Sequence, residues 1–214
     1  MFVGNAPHVT PEYNELATDW NKWMMPVRWD GFSRDTLHSG NGYASCTNLI
    51  HQAYHLKQWL DRTKQDITQI HTIVEIGAGY GAMALIIYRL GFRGLYHIVD
   101  LPELETIQRY YLTETTKDVK GQGIIQWDSL PQSCDLLIAS HSLSEMPIPE
   151  RERLLSQVAA KEYLFASSYE YEGVDNATWF QQFAGATVGI DWLFYAHPYQ
   201  ENAFYQVGVD GSTK

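Results

Sequence analysis

The chain has 214 residues, 45% of them hydrophobic and 14% aromatic, enough to bury one sizeable core without division into several domains. Its 15 Lys and Arg stand against 25 Asp and Glu for a net charge of −10. The basic residues are dispersed with no run that would track a phosphate backbone, which argues against nucleic acid as a partner. The two cysteines, Cys46 and Cys134, lie far apart, one of them inside an apolar run, and such usage suits a reducing cytoplasm. No charged-then-apolar leader opens the sequence and no apolar run approaches the ~20 residues of a membrane span. The expectation is a soluble cytoplasmic protein with no membrane partner.

Residues 1 to 44 are rich in Trp, Pro, Gly and Asn and show little sustained periodicity, so they read as a loop-rich cap. From Cys46 onward, Leu49, Ile50, Ala53, Leu56 and Leu60 form one helical stripe, with His51 and His55 opposite. Thr72-Ile73-Val74-Glu75-Ile76 is a β-branched run stopped by glycines, and Met83, Ile86, Ile87 and Leu90 make the stripe of a helix closed by Gly91. Tyr96 to Val99 is a second strand ending at Asp100. Pro102 then opens a helix whose core side is predicted to include Leu104, Ile107 and Tyr111.

Further along, Ile124-Ile125, Leu136 to Ala139 and Tyr163 to Ala166 read as three more strands. A helix opening near Pro149 and a helix carrying Trp179, Phe180 and Phe183 lie between and after them. Trp192 to Ala196 and Ala203 to Val209 are joined by only six residues, too few for a crossover helix, and so pair antiparallel. Alternating strands and helices predict an α/β fold with a mostly parallel sheet, a C-terminal antiparallel strand pair and helices on both faces, with ligands bound beyond the carboxyl ends of the strands. The division expected is a cap and lead-in helix over 1–70 and a core over 71–214.

Gly77-Ala78-Gly79-Tyr80-Gly81 sits between the first of these strands and its helix, where glycines let the backbone turn sharply and approach a ligand. Read as Gly77, Gly79 and Ala82, the turn also satisfies the dinucleotide fingerprint, with Asp100 near the distance of a ribose-binding acid. That leaves an NAD(P)-dependent oxidoreductase as an alternative. Against it stands Glu75, a carboxylate just before the turn that a pyrophosphate would not welcome and a cationic ligand would tolerate.

The segment from Val74 to Gly81 resembles the first motif of class I S-adenosylmethionine methyltransferases. Together with Tyr96 to Glu103, Tyr110-Tyr111-Leu112 and Ser142-Leu143-Ser144-Glu145-Met146, the chain looks most like the sugar O-methyltransferase family. The resemblance implies a Rossmann-like core, S-adenosyl-L-methionine as cofactor, and methyl transfer to a hydroxyl of a sugar-like small molecule. It further implies that Gly77, Ala78 and Gly79 pass under the methionine part of the cofactor, that Asp100 accepts the ribose hydroxyls, and that Leu101, Trp127 and Asp128 flank the adenine; Glu75 belongs to the same motif. A protein of this fold that binds cofactor without turnover is the other alternative.

His141 and Ser142 follow the fourth strand. His141 serves either as general base, taking the hydroxyl proton, or to orient a loop; Glu145 is a second base candidate, or merely complements a helix dipole. His51 and His55 have the i, i+4 spacing of metal ligands, but no carboxylate or Cys at ligand spacing accompanies them, so they read as solvated or as a polar contact and no metal is expected. Trp20, Trp23, Trp29, Tyr43 and Tyr169 make either a stacking floor for a sugar ring or plain packing. An N-terminal region this aromatic leaves a homodimer open. The sequon Asn176-Ala177-Thr178 carries no weight without a secretory signal.

Overall fold

The computed structural model describes residues 7–16, 18–20, 22–25, 36–38, 44–117, 123–127 and 129–213. In chain order the elements are α1 (Val9–Leu16), β1 (Thr36–His38), β2 (Ala44–Cys46), α2 (Thr47–Thr63), β3 (Thr72–Ile76), α3 (Ala82–Arg89), β4 (Leu95–Val99), α4 (Pro102–Thr115), β5 (Ile124–Trp127), β6 (Ser133–Ser140), α5 (Ile148–Leu155), β7 (Ala159–Ser168), β8 (Glu170–Tyr171), β9 (Val174–Asp175), α6 (Asn176–Ala186), β10 (Ile190–Ala196) and β11 (Ala203–Asp210). They fall into two compact units. One holds residues 1–69, 78–93 and 101–123, and the other residues 70–77, 94–100 and 124–214.

The second unit is built on a seven-stranded sheet of order β10-β11-β7-β6-β3-β4-β5. β3 pairs in parallel with β4 and β6, β4 with β5 and β6 with β7, whereas β11 runs antiparallel to both β7 and β10. The parallel arrangement and the antiparallel C-terminal pair are those the sequence predicts. Every second residue of a strand faces the same way, so Val74 and Ile76, Leu137 and Ala139, and Tyr163 and Phe165 line one side of the sheet. They share a buried cluster with Trp179, Phe180 and Phe204. Ring centroids of Phe165 and Phe180 lie 5.4 Å apart and those of Phe180 and Phe204 5.6 Å apart, and each fully buried ring of this kind contributes roughly 1.5–3 kcal/mol. These aromatic residues of the C-terminal half are therefore core packing.

The first unit is mainly helical, with the short antiparallel pair β1–β2. α2 buries Leu49, Ile50, Ala53, Leu56 and Trp59 and ends at Lys64, whose left-handed backbone turns its N–H to the Leu60 carbonyl. α3 is buried on every side from Ala82 to Tyr88, the mark of a helix enclosed by its neighbours. α1 packs on α2 and α2 on α3. Three long-range bonds secure the segment before α2: Ser45 Oγ donates to the Met24 carbonyl at 2.6 Å, and Arg89 Nη1 donates to the carbonyls of Trp23 and Met25 at 2.8 and 2.7 Å.

Two expectations need correction here. The first 44 residues are not all loop: Val9, Tyr13 and Leu16, spaced i, i+4, i+7, are the buried side of α1, with Pro11 tolerated in its first turn. In α4 the buried stripe is Gln108, Tyr111, Leu112 and Thr115, and Ile107 is 50% exposed. The polar Gln108 takes the inward position because its amide finds a backbone acceptor there.

Candidate functional site

β3 lies between β4 and β6, the point at which strand order reverses and where open α/β sheets place their ligands. Ile76 and Val99 are register partners, and the Gly77 N–H donates to the Val99 carbonyl at 2.8 Å. Gly77 and Asp100 therefore leave neighbouring strand ends together. Behind them Glu75, 1% exposed, sits between Ile98 of β4 and Ile138 of β6, and Tyr96 Oη donates to its Oε2 at 2.7 Å. Burial pushes the Glu75 carboxyl up to about 8; the Tyr96 hydrogen bond opposes this and the charge of Asp100 adds to it. At neutral pH the group is thus an uncharged acid. The cost of a buried charge, which the sequence leaves unresolved, is avoided by keeping the proton.

Gly77 has φ of 74° and Gly79 of 59°, both left-handed. They need that freedom for different reasons. A Cβ on Gly77 would collide with Cβ and Oγ of Ser142, whose hydroxyl donates to the Ile76 carbonyl; this glycine lets the segment after β6 close on the end of β3. A Cβ on Gly79 would meet no described atom within 4 Å, so its Cβ direction is open, while its carbonyl accepts from Gln108 Nε2 at 2.9 Å. Beside it the rings of Tyr80 and Tyr111 meet edge to face at 4.7 Å.

β6 runs directly into His141, which has φ of 64°. A left-handed histidine costs on the order of 1–2 kcal/mol and persists only where its surroundings hold it. Here its N–H donates to the Ala166 carbonyl at 2.6 Å, and its own carbonyl accepts from Ser144 Oγ at 2.7 Å and the Glu145 N–H at 3.2 Å. The bend leads into one 3-10 turn, Leu143–Glu145, on which Glu145 is half-buried.

That turn is fastened by Arg151 of α5, which is 1% exposed. Its Nε donates to the Met146 carbonyl at 2.7 Å, Nη2 to the Ser144 carbonyl at 3.1 Å and Nη1 to Asn176 Oδ1 at 2.7 Å, and its guanidinium lies 5.1 Å from the Trp179 ring centroid. Sequence reasoning misses Arg151, because in Pro149-Glu150-Arg151-Glu152-Arg153 it looks like one more charge on a solvated helix face. Asn176, first residue of the sequon, is fully buried in this contact.

Of the other predicted positions, Leu101 is 66% exposed as the residue capping α4, Trp127 closes β5 half-buried, and Asp128 lies outside the described residues. Trp29 and Tyr43 of the proposed stacking floor also lie outside them. Tyr169 packs on Phe204 at 5.0 Å.

His51 and His55 are 2% and 0% exposed, which corrects the solvated alternative, while His51 makes the polar contact that is the other. The carboxylate that sequence spacing does not supply comes from α1: His51 Nδ1 is 3.0 Å from both Oε1 and Oε2 of Glu12. Burial, with His8 beside it, pushes His51 down to about 3, so the imidazole is neutral and its contact with Glu12 is a hydrogen bond rather than a pair of opposite charges.

No family model matches the sequence, and no curated protein does. Solved structures do match in fold. Magnesium protoporphyrin IX methyltransferase from Synechocystis PCC 6803, with bound SAM, superposes with a TM-score of 0.57 at 12% identity over 97% of this chain and 100% of its own. The glycopeptide N-methyltransferase MtfA complexed with sinefungin gives 0.57 at 11% over 82% and 99%. The methyltransferase domain of bacterial CtHen1 gives 0.55 at 10% over 76% and 100%. The chain therefore has the Rossmann-like fold of the SAM-dependent methyltransferases, in keeping with its sheet order and its glycine turn.

Proposed function

We propose that the chain is a SAM-dependent O-methyltransferase that transfers a methyl group to a hydroxyl of a sugar or sugar-containing small molecule. The observation that carries this reading is the glycine turn. Gly79 holds a left-handed backbone with no described atom within 4 Å of where a Cβ would stand, and Gly77 leaves its strand end beside Asp100. A bare backbone beside a carboxylate fits a ligand that carries both a polar chain and a ribose diol. Gly77, Ala78 and Gly79 would hold the methionine part of S-adenosyl-L-methionine, Asp100 the ribose, and Leu101, Trp127 and Asp128 the adenine. A neutral Glu75 behind the turn presents no charge to repel a ligand carboxylate, and for the same reason it does not weigh against a pyrophosphate as its place in the sequence suggests, so the dinucleotide is decided by titration.

The cofactor's sulfonium supplies an already activated methyl group. The protein's part is to hold the acceptor hydroxyl in line and to take its proton. His141, fixed in its strained bend by Ala166 and Ser144, is the base in this reading and Glu145 the second candidate. A sugar-like acceptor is supported by the resemblance of Tyr96 to Glu103, Tyr110 to Leu112 and Ser142 to Met146 to sugar O-methyltransferases, and a cytoplasmic location by two buried cysteines outside any disulfide. Among the described residues no helix is long and apolar enough to cross a membrane. A homodimer is supported by Leu193 and Phe194, exposed on the edge strand β10.

The test is isothermal titration with SAM, S-adenosylhomocysteine and reduced nicotinamide dinucleotide, in the wild type and Asp100→Ala, followed by transfer of labelled methyl to a panel of sugars. Binding of both adenosyl ligands that is lost in the variant, with label on a sugar hydroxyl, is the expected result. Binding of the dinucleotide alone would overturn the methyltransferase reading. Adenosyl binding with no transfer to any sugar would overturn the acceptor assignment.

A further inference from the structure

α1 and α2 bring together residues from the two ends of the N-terminal region. His8 immediately precedes α1, and the Glu12 N–H donates to the His8 carbonyl at 3.2 Å. The two side chains, at i and i+4, therefore share one face of the helix. α2 sets His51 against that face, its Nδ1 3.0 Å from each Glu12 oxygen and its ring centroid 4.9 Å from that of His8. One nitrogen from each histidine and a Glu12 oxygen all lie within 4.8 Å of one another. Glu12 and His51 are buried and His8 is half-buried. The His55 ring meets that of His51 edge-on at 4.1 Å.

From this cluster we infer a binding site for a first-row divalent transition metal of the zinc type, ligated by His8, Glu12 and His51. Two imidazoles and a carboxylate are a donor set that zinc uses where a fourth position stays open, and the mixture of nitrogen and oxygen disfavours magnesium and calcium, which take oxygen ligands. Ligands about 2.0–2.2 Å from one ion at tetrahedral angles stand about 3.3–3.6 Å apart, so the observed spacing needs only a small closure of His8. A hydrogen-bonded pair tying α1 to α2 would require Glu12 and His51 alone. The third donor, on the same face, is what makes the cluster a ligand set. The site does not rest on the methyltransferase reading.

The experiment is titration of the metal-free, untagged full chain with Co2+, followed by visible d–d absorption, with Zn2+ added afterwards as competitor. The result expected is saturation at one equivalent, displacement by Zn2+, and affinity weaker by on the order of 100-fold or more in both His8→Ala and Glu12→Gln. Absence of a saturable band in the wild type overturns the site, as does an unchanged band in either folded variant. His8→Ala removes a half-exposed ring and leaves the Glu12–His51 contact in place, so it decides the matter if Glu12→Gln does not fold.

Discussion

Glu75→Gln separates a proton-keeping acid from a buried carboxylate. The amide has the shape of the protonated acid and still accepts from Tyr96, so the variant should fold, and it does not titrate. In the wild type the carboxyl rises from its ordinary 4.5 to about 8 on folding. A raised value means that the folded state binds more protons than the unfolded chain between these limits. Stability from this group is therefore complete below about pH 4.5 and is lost as pH rises through 8. The span is about three and a half pH units, which at about 1.4 kcal/mol each sets a ceiling of about 5 kcal/mol. The groups that face Glu75 are Tyr96 and Asp100, both retained in the variant. The difference between the two proteins thus isolates this one proton. Urea unfolding of both at intervals from pH 5 to 9 should show Glu75→Gln gaining on the wild type by about 1 kcal/mol per unit up to pH 8 and levelling beyond it. A constant difference across that range would refute a neutral Glu75 and would mean that the group ionises in the folded protein as an ordinary carboxylate does in the unfolded chain.

The two glycines of the turn should separate by assay. Gly77→Ala meets Ser142 and an unfavourable backbone, and should lose about 2–5 kcal/mol in urea unfolding; Gly79→Ala should lose only about 1–2 kcal/mol, yet bind S-adenosylhomocysteine at least about tenfold more weakly by calorimetry. Arg151→Met removes three hydrogen bonds from a charged donor, two of them buried, at roughly 1.5–3 kcal/mol each and should destabilise by at least about 3 kcal/mol; a loss under 1 kcal/mol would show that the Leu143–Glu145 turn does not depend on it. His141→Ala should lower methyl transfer by about a hundredfold or more while cofactor affinity holds, and unchanged turnover on a true acceptor would remove it from the mechanism.

Much of the architecture can be read without coordinates because it is encoded in short windows. The run from Thr72 to Ile76, the glycines after it, Pro102 at the start of α4 and the six residues before Ala203 each fix a local conformation whatever their surroundings. The same holds for the positions of Asp100 and His141, which follow from strand ends. Resemblance rather than spacing gives their chemistry.

What sequence alone could not decide is which polar side chains become buried and what meets them, because those partners are distant in the chain. Glu75 finds Tyr96 21 residues on, and His51 finds Glu12 39 residues back. Arg151 on its charged helix is drawn inward by carbonyls of a turn and by Asn176, 25 residues away. In each case the periodicity of the local segment is compatible with either exposure or burial, and the desolvation cost tips the balance only once a partner from another element is in place. Sequence determined the order of strands and turns and the bare backbone of the glycine loop. Tertiary structure decided the protonation of Glu75, the anchoring of the turn after β6, and the meeting of two histidines and a carboxylate from separate helices.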